Sequence, residues 1–362
     1  MIPLIKTRMP AANVLMPALE KVLYSGYVAQ GETVELFERS FEAFTGGGHA
    51  LSVNSGTAAL HIALILAGVG KGDEVVSTAL TAEPTNVAIK MAGALVRYAD
   101  IDRATLNISA ASIADNINEK TRAIMVVDYA GVPVDVKEIT ALSTRIGIPV
   151  IHDAAHSLGS RYCGQKIGCQ FPFTAFSFQA IKHITTVDGG MLQISEQDDY
   201  ERGKLIRWFG IDRRKTRLEN NIRQQGYKYH MNNVNAAIGL VQLQDAEWTI
   251  GRHVENGIYF DRELADVPGV EVLRYYKDSE PSYWLYSVLV DNREGLEKKL
   301  AERGVMSSVL HKRNDWHDYL NDFGQELPVL DDVYERLLHI PCGWWVGASE
   351  RELIVDVIRS GW

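Results

Sequence analysis

The sequence predicts an α/β fold: a largely parallel sheet flanked by helices, followed by a smaller part of mixed strands and helices. Three observations predict it. From about residue 50, short apolar runs alternate with helical stretches, as repeated strand–helix units require. The run Arg122–Val127 is nearly all apolar and β-branched, the composition of a strand buried on both faces. Beyond residue 200 the chain turns more polar, and near residue 250 its character changes. At 362 residues it is too long for one small core. The expected division is a large domain over 1–249 and a small C-terminal domain over 250–362, with the N-terminal segment free to pack on the latter.

The elements follow in order. Ala58–Ala67 is expected as a buried helix, Glu74–Thr78 as a strand, and Pro84–Met91 as the next helix. Ala94–Ala99 is a strand, Arg122–Val127 the central strand, and Val136–Arg145 a helix. Ile148–His152 is a strand ending at Asp153. Phe173–Phe178 and Gly190–Ile194 are short strands on either side of Lys182. Asn235–Trp248 has helical periodicity, with Ala236, Ala237, Leu240, Val241 and Leu243 on one apolar face. Val270–Arg274 and Trp284–Val290 are strands, Glu294–Arg303 is an amphipathic helix, and a last helix covers about 350–358. No repeat or low-complexity segment interrupts this order.

Composition narrows the function classes. Apolar residues make up 46% and charged residues 23%, a soluble globular profile. The net charge of -9 is spread along the chain without a basic block, which argues against a nucleic-acid surface. Any anionic ligand needs local positive groups. Cys163, Cys169 and Cys342 are odd in number and lack metal spacing, so reduced thiols in a reducing compartment are expected. The N-terminus has no signal-like pattern and no run reaches membrane-spanning length. A cytoplasmic location is expected.

Lys182 is the most informative residue. An apolar, aromatic stretch, Phe173–Phe178, leads towards it, and a polar loop closed by Gly189 and Gly190 follows. A lysine is seldom placed there without a partner or a covalent role. Desolvation lowers an amine's pKa and makes it a nucleophile, which suits a Schiff base to an aldehyde cofactor. Ser177, five residues earlier, is placed to reach a phosphate.

Four further clusters carry polar groups. Asn54-Ser55-Gly56-Thr57 opens a helix and offers hydroxyls and free N–H groups to an anion; an ordinary helix cap explains Ser55 equally well. Asp153 ends a buried strand, where α/β sheets place functional groups. It could cap a helix, or keep the ring nitrogen of pyridoxal phosphate protonated. His156 is three residues on. Gln225–Asn233, containing His230, concentrates aromatic, cationic and amide groups in a turn and suits a ligand or subunit contact. Finally, His311, Arg313 and Trp344 lie in loop-like segments, where exposure would suit sugar stacking and phosphate pairing. Core packing of the tryptophans explains those positions equally well.

With these clusters in this order, the chain resembles the DegT/DnrJ/EryC1/StrS family of pyridoxal-phosphate-dependent sugar aminotransferases. The matching pieces are Ser25–Gly31, Phe37-Glu38, Asn54–Thr57, Asp100–Asp102, Asp153–His156, Phe176–Phe178 with Lys182, Gly226–Tyr229 and Asn235–Leu240. The resemblance implies fold type I, with a mainly parallel seven-stranded sheet, helices on both faces and a smaller α+β C-terminal domain. It implies a homodimer with shared active sites.

Carried over, Lys182 is the Schiff-base lysine and Asp153 the partner of the pyridinium nitrogen. His156 falls where the family usually has Gln or His near the cofactor ring oxygen. Gly56, Thr57 and Ser177 hold the phosphate beside Ser55, and His230 falls where a neighbouring subunit contributes. The expected reaction moves an amino group from L-glutamate to a keto sugar, most simply a nucleotide-linked keto-deoxysugar. The amino sugar would serve natural-product or surface polysaccharide biosynthesis, such as lipopolysaccharide.

Two positions depart from the family. Ala82 falls where an aromatic side chain usually stacks on the cofactor, and Asp128-Tyr-Ala-Gly131 stands where many members have His-Leu-Tyr-Gly. Both are expected to line the substrate side. Rival readings are a transaminase for a keto sugar acid or small phosphorylated ketone, and a sugar dehydratase, in which the lysine is typically replaced by His. A turnover-silent regulator would need a DNA-binding domain, for which Met1–Ser25 is too short.

Overall fold

The apolar runs assemble into one sheet. Its strands are His49–Val53 (β1), Glu74–Ser77 (β2), Leu95–Tyr98 (β3), Thr121–Val127 (β4) and Val150–Asp153 (β5). A short hairpin, Arg161–Tyr162 (β6) and Gln165–Lys166 (β7), precedes Phe173–Ser177 (β8) and Gly190–Ile194 (β9). The computed structural model describes residues 1–362. The seven-stranded sheet has the order β1-β9-β8-β5-β4-β2-β3. β9 runs antiparallel to both its neighbours, while β8, β5, β4, β2 and β3 pair in parallel. The C-terminal ends of β1, β4, β5 and β8 therefore share one edge with the start of β9. Ligands bind outside that edge in open α/β sheets.

Ala12–Leu23 (α1) is mostly exposed, and the helices that cover the sheet are Glu32–Thr45 (α2), Gly56–Leu66 (α3), Glu83–Met91 (α4), Ala110–Asn116 (α5), Val136–Ile146 (α6) and Gln197–Arg207 (α7). α3 is buried along most of its length, which explains why its sequence is apolar all round. Its residues pack with β4, β5 and β8 side chains in the largest apolar core. No helix is long and apolar enough to cross a membrane.

The helix expected at Asn235–Trp248 is two helices. Asn233–Gln244 (α8) ends at Asp245, and Ala246–Leu264 (α9) continues beyond it. The division expected between residues 249 and 250 falls inside α9, so a rigid rod makes the passage. The chain then forms Val270–Val272 (β10), Ser279–Glu280 (β11), Tyr286–Val290 (β12), Arg293–Glu302 (α10), Pro328–Tyr334 (α11), Leu337–Ile340 (β13) and Ala348–Arg359 (α12). β10, β12 and β13 form an antiparallel sheet with its own apolar core. The N-terminus joins it: Ile2 bridges Val305, and Trp345 Nε1 donates to Pro3 O at 2.8 Å.

The last third also returns to the large sheet. Gln325 Oε1 accepts from Tyr98 N at 2.6 Å, and Asp322 Oδ2 accepts from Val96 N at 2.8 Å. These side chains close the open edge of β3, a position that otherwise presents unpaired backbone groups. β11 pairs with β6, a second tie between the two parts.

Candidate active site

The phosphate-like end is made by backbone approach. Ser55 caps α3, its Oγ accepting from Ala58 N at 3.1 Å. The N–H groups of Gly56 and Thr57 open the helix without intrahelical acceptors. A Cβ on Gly190 would lie 2.6 Å from the Ser55 carbonyl carbon, and a Cβ on Gly56 would lie 3.0 Å from Ser177 Cβ. Glycine at both positions lets the start of β9, the end of β8 and the start of α3 meet. Ser55 is thus both a cap and part of a cradle that an anion fits.

Asp153 stands at the end of β5, 5% exposed. Its Oδ2 accepts from Thr85 Oγ1 at 2.8 Å and its Oδ1 from Ala155 N at 3.1 Å. Thr85 is joined in turn to Thr81. Burial pushes the Asp153 carboxyl up, while Thr85, the Ala155 N–H and the Lys182 charge pull the other way. The pair of hydrogen bonds fixes its orientation.

Lys182 follows β8 in a tight turn closed by Lys182 N to Gln179 O. It keeps some exposed surface, but its amine lies where desolvation dominates and lowers it to about 7, with Asp153 opposing. At neutral pH it is therefore poised between ammonium and nucleophilic amine. His183 faces away: its Nε2 meets Ser282 O at 3.2 Å and its ring packs on His253. The lysine, not the adjacent histidine, faces Asp153, contrary to what a dehydratase needs.

His156 is 3% exposed and stacks on Trp284 with ring centres 3.9 Å apart. His311 lies parallel to it at 5.7 Å. Burial and the Lys182 charge hold both below the usual histidine range, His311 at about 4. His156 Nδ1 and His311 Nε2 are buried without a hydrogen-bond partner, so polar atoms suited to a ligand face this space.

Most other expected residues have partners of their own. His230 is backbone-bridged to Val53, near the cradle, but its ring packs edge-on against Trp208 at 4.3 Å. Arg313 is not exposed: it is 4% accessible and paired with Asp315 and Asp331, so a substrate phosphate would have to displace two carboxylates. Trp344 packs towards the N-terminal segment, with the Lys6 amine 5.2 Å from its ring. Asp128 does not line the substrate side either. It is fully buried with His152, 2.8 Å away, because alternation along β5 sends His152 to the face opposite Asp153. Ala82 stands at the N-cap of α4, where it offers only a methyl group.

Trp284 and Thr85 were not foreseen. Trp284 reads as the first residue of a strand, and Thr85 as an ordinary first-turn residue. Both act only through partners distant in sequence, Ile181 and Lys182 for one, Asp153 for the other.

The residues present fit pyridoxal phosphate. The cradle suits its phosphate, Lys182 its aldehyde, Asp153 its ring nitrogen, and the unpartnered His156 Nδ1 a ring substituent. Fold and site together define a pyridoxal-phosphate-dependent aminotransferase. The chain belongs to the DegT/DnrJ/EryC1/StrS aminotransferase family, matching it over residues 12–359. It is similar to AtS13 from Actinomadura melliaura, at 38% identity and a TM-score of 0.96, covering 100% of this chain and 99% of that one. It is also similar to the sugar aminotransferase CalS13 from Micromonospora echinospora, at 36% identity and a TM-score of 0.96, covering 100% of both chains. A third similar structure is PseC from Helicobacter pylori, an aminotransferase involved in the biosynthesis of pseudoaminic acid. It is 27% identical, with a TM-score of 0.90 and 98% coverage of both chains.

Proposed function

We propose that this enzyme transfers the amino group of L-glutamate to a nucleotide-linked keto-deoxysugar, and that it works as a homodimer in the cytoplasm. The carrying observation is the Lys182 amine, lowered to about 7 and facing a fixed Asp153 beside the Gly56–Gly190 cradle. The likeness to CalS13, a sugar aminotransferase, and to PseC, of pseudoaminic acid biosynthesis, supports a sugar product for natural-product or surface polysaccharide assembly.

When bound, the cofactor supplies an aldehyde that carries the amino group and a ring that accepts electrons. Lys182 is the residue placed to hold it covalently. Once freed, Lys182 Nζ takes the proton from the donor's α-carbon as base and returns a proton as acid. Asp153 keeps the ring nitrogen charged. The Gly56 and Thr57 N–H groups, with the Ser55 and Ser177 hydroxyls, hold the phosphate, and His156 orients the ring. His230 of one subunit completes the phosphate site of the other, and His311 faces the incoming sugar. Glutamate returns as its oxo acid, and the sugar ketone leaves as an amine.

The test incubates parent protein and Lys182→Ala with L-glutamate and a panel of keto-sugar nucleotides, following amino sugar by mass. Product from the parent and none from Lys182→Ala is expected. Turnover by Lys182→Ala would sink the lysine assignment. A parent that aminates only free sugars or sugar acids would sink the nucleotide-linked substrate.

A further inference from the structure

The turn Ser282–Leu285 is held from more directions than a connection needs. Ser282 N donates to Gly131 O at 3.1 Å and to Ser160 Oγ at 3.0 Å. His183 and His253 meet the carbonyls of Ser282 and Tyr283 at 3.2 and 2.9 Å. Leu285 N donates to Ala130 O at 3.2 Å. Tyr283 has a φ of 49°, a left-handed backbone that is costly for an aromatic residue. Its hydroxyl donates to Asp261 Oδ2 at 2.6 Å, and Tyr275 and Tyr286 donate to Asp261 Oδ1. A side chain on Gly257 would run into the Tyr283 ring, and one on Gly131 would come within 2.8 Å of Trp284 N. Strain kept in place by so many partners marks a position with a task.

What this turn places is Trp284. The indole is 2% exposed, and its Nε1 donates to Ile181 O at 2.8 Å, tying it to the residue before Lys182. Lys182 Nζ lies 3.9 Å from the ring centre, and His156 stacks on the same indole at 3.9 Å. A lysine that alternates between covalent bonding and proton transfer must at some stage be a free ammonium in a dry site. A second carboxylate in that place would pair with the ammonium and hold the proton on it. An indole face attracts the charge but has no basic atom to take the proton.

We propose that Trp284 is a positioning residue for the reaction, its indole being the face on which the Lys182 ammonium rests when the amine is not covalently engaged, in register with His156. The proposal rests on Lys182 as the reacting amine, but its test needs no turnover, so the two can fail separately.

The full-length protein freed of cofactor is treated with an amine-reactive label across a pH series, and Lys182 modification is followed by peptide mass. Parent, Trp284→Phe and Trp284→Leu are compared. Asp153, His156 and His311 face Lys182 in all three, and His183, next in the chain, turns to Ser282 and His253. Losing the π face should lower the half-labelling pH by about 1.5 units in Trp284→Leu, the size of a desolvated cation–π contact, and by less in Trp284→Phe. An unchanged or raised value in Trp284→Leu overturns the proposal. Should Trp284→Leu not fold, the parent decides alone. With ε-carbon-labelled lysine, the Lys182 ε-proton signal, identified by its loss in Lys182→Arg, is displaced upfield by the indole ring current. A signal at the ordinary position overturns the proposal.

Discussion

The two ends of the site are built from different material. The cradle end, Ser55–Thr57 with Ser177 and Gly190, is backbone and small residues and contains no group that titrates near neutrality. The lysine end, Lys182 with Asp153, His156, Trp284 and His311, is made of ionisable and aromatic side chains drawn from both parts of the molecule. Close backbone approach needs only glycine at two positions, so the cradle is robust to pH and sensitive to any added methyl group. The lysine end depends on charge states that burial sets, so it is sensitive to pH and to its hydrogen-bond partners.

Acid should separate the two ends most strongly. His156 and His183 are held well below the usual histidine range, and His253, His311 and His339 at about 4, 4 and 3, mainly by burial. The unfolded chain binds a proton on each as pH falls through about 6.5, whereas the native chain does not until much lower. Stability therefore falls with pH below about 6.5. Each group contributes roughly 1.4 kcal/mol per pH unit, and five together rival a typical stability of about 5–15 kcal/mol within about one to two units. Urea midpoints measured from pH 7 to 4 should drop steeply. A flat profile would mean that these histidines are hydrated.

Asp153→Ala comes next. Removing the carboxylate should lower turnover by roughly 10²–10³-fold, the size of other lost preorganised electrostatic contacts, while the folded structure survives by circular dichroism. A tenfold or smaller loss would move the ring-nitrogen role elsewhere.

Gly190→Ala probes the other end. Its Cβ at 2.6 Å from Ser55 should cost about 1–3 kcal/mol in denaturant unfolding and weaken cofactor retention on dialysis. Gly56→Ala, whose Cβ would meet Ser177 Cβ at 3.0 Å, should cost less. If Gly56→Ala proved the worse, the close approach of β9 would not be what shapes the cradle.

The mildest effect is on cofactor capture. In the proposed mechanism the neutral Lys182 amine is the nucleophile, and burial lowers it to about 7. The rate at which cofactor-free protein develops the visible band of bound cofactor should rise nearly tenfold per pH unit below 7 and level off above it. Stopped-flow absorbance checks this. A rise that continues towards pH 10 would mean an ordinary, hydrated lysine.

Much of the cradle and half of the lysine end were legible in the sequence. Strand ends at Asp153 and Ser177, and the helix opening after Ser55, follow from local patterns of apolar runs and caps. The break at Asp245 was not legible, because apolar residues continue at helical spacing through it. Arg313 looked available because the sequence does not show that Asp315, two residues on, and Asp331, 18 residues on, turn their carboxylates onto it. Asp128 looked like a substrate contact because its partner, His152, lies on another strand.

By itself the sequence determined the parallel sheet, the helix that opens after Ser55, and the placement of Asp153 at a strand end and Lys182 just beyond another, because each depends on residues within a turn or two. The tertiary structure decided which face of β5 each side chain takes, which cations are already paired, and that Trp284 lies under Lys182. Those outcomes depend on burial and on how the chain folds back, from Arg313 with Asp331, 18 residues on, to Trp284 with Lys182, about a hundred residues apart, and no local pattern records such energies.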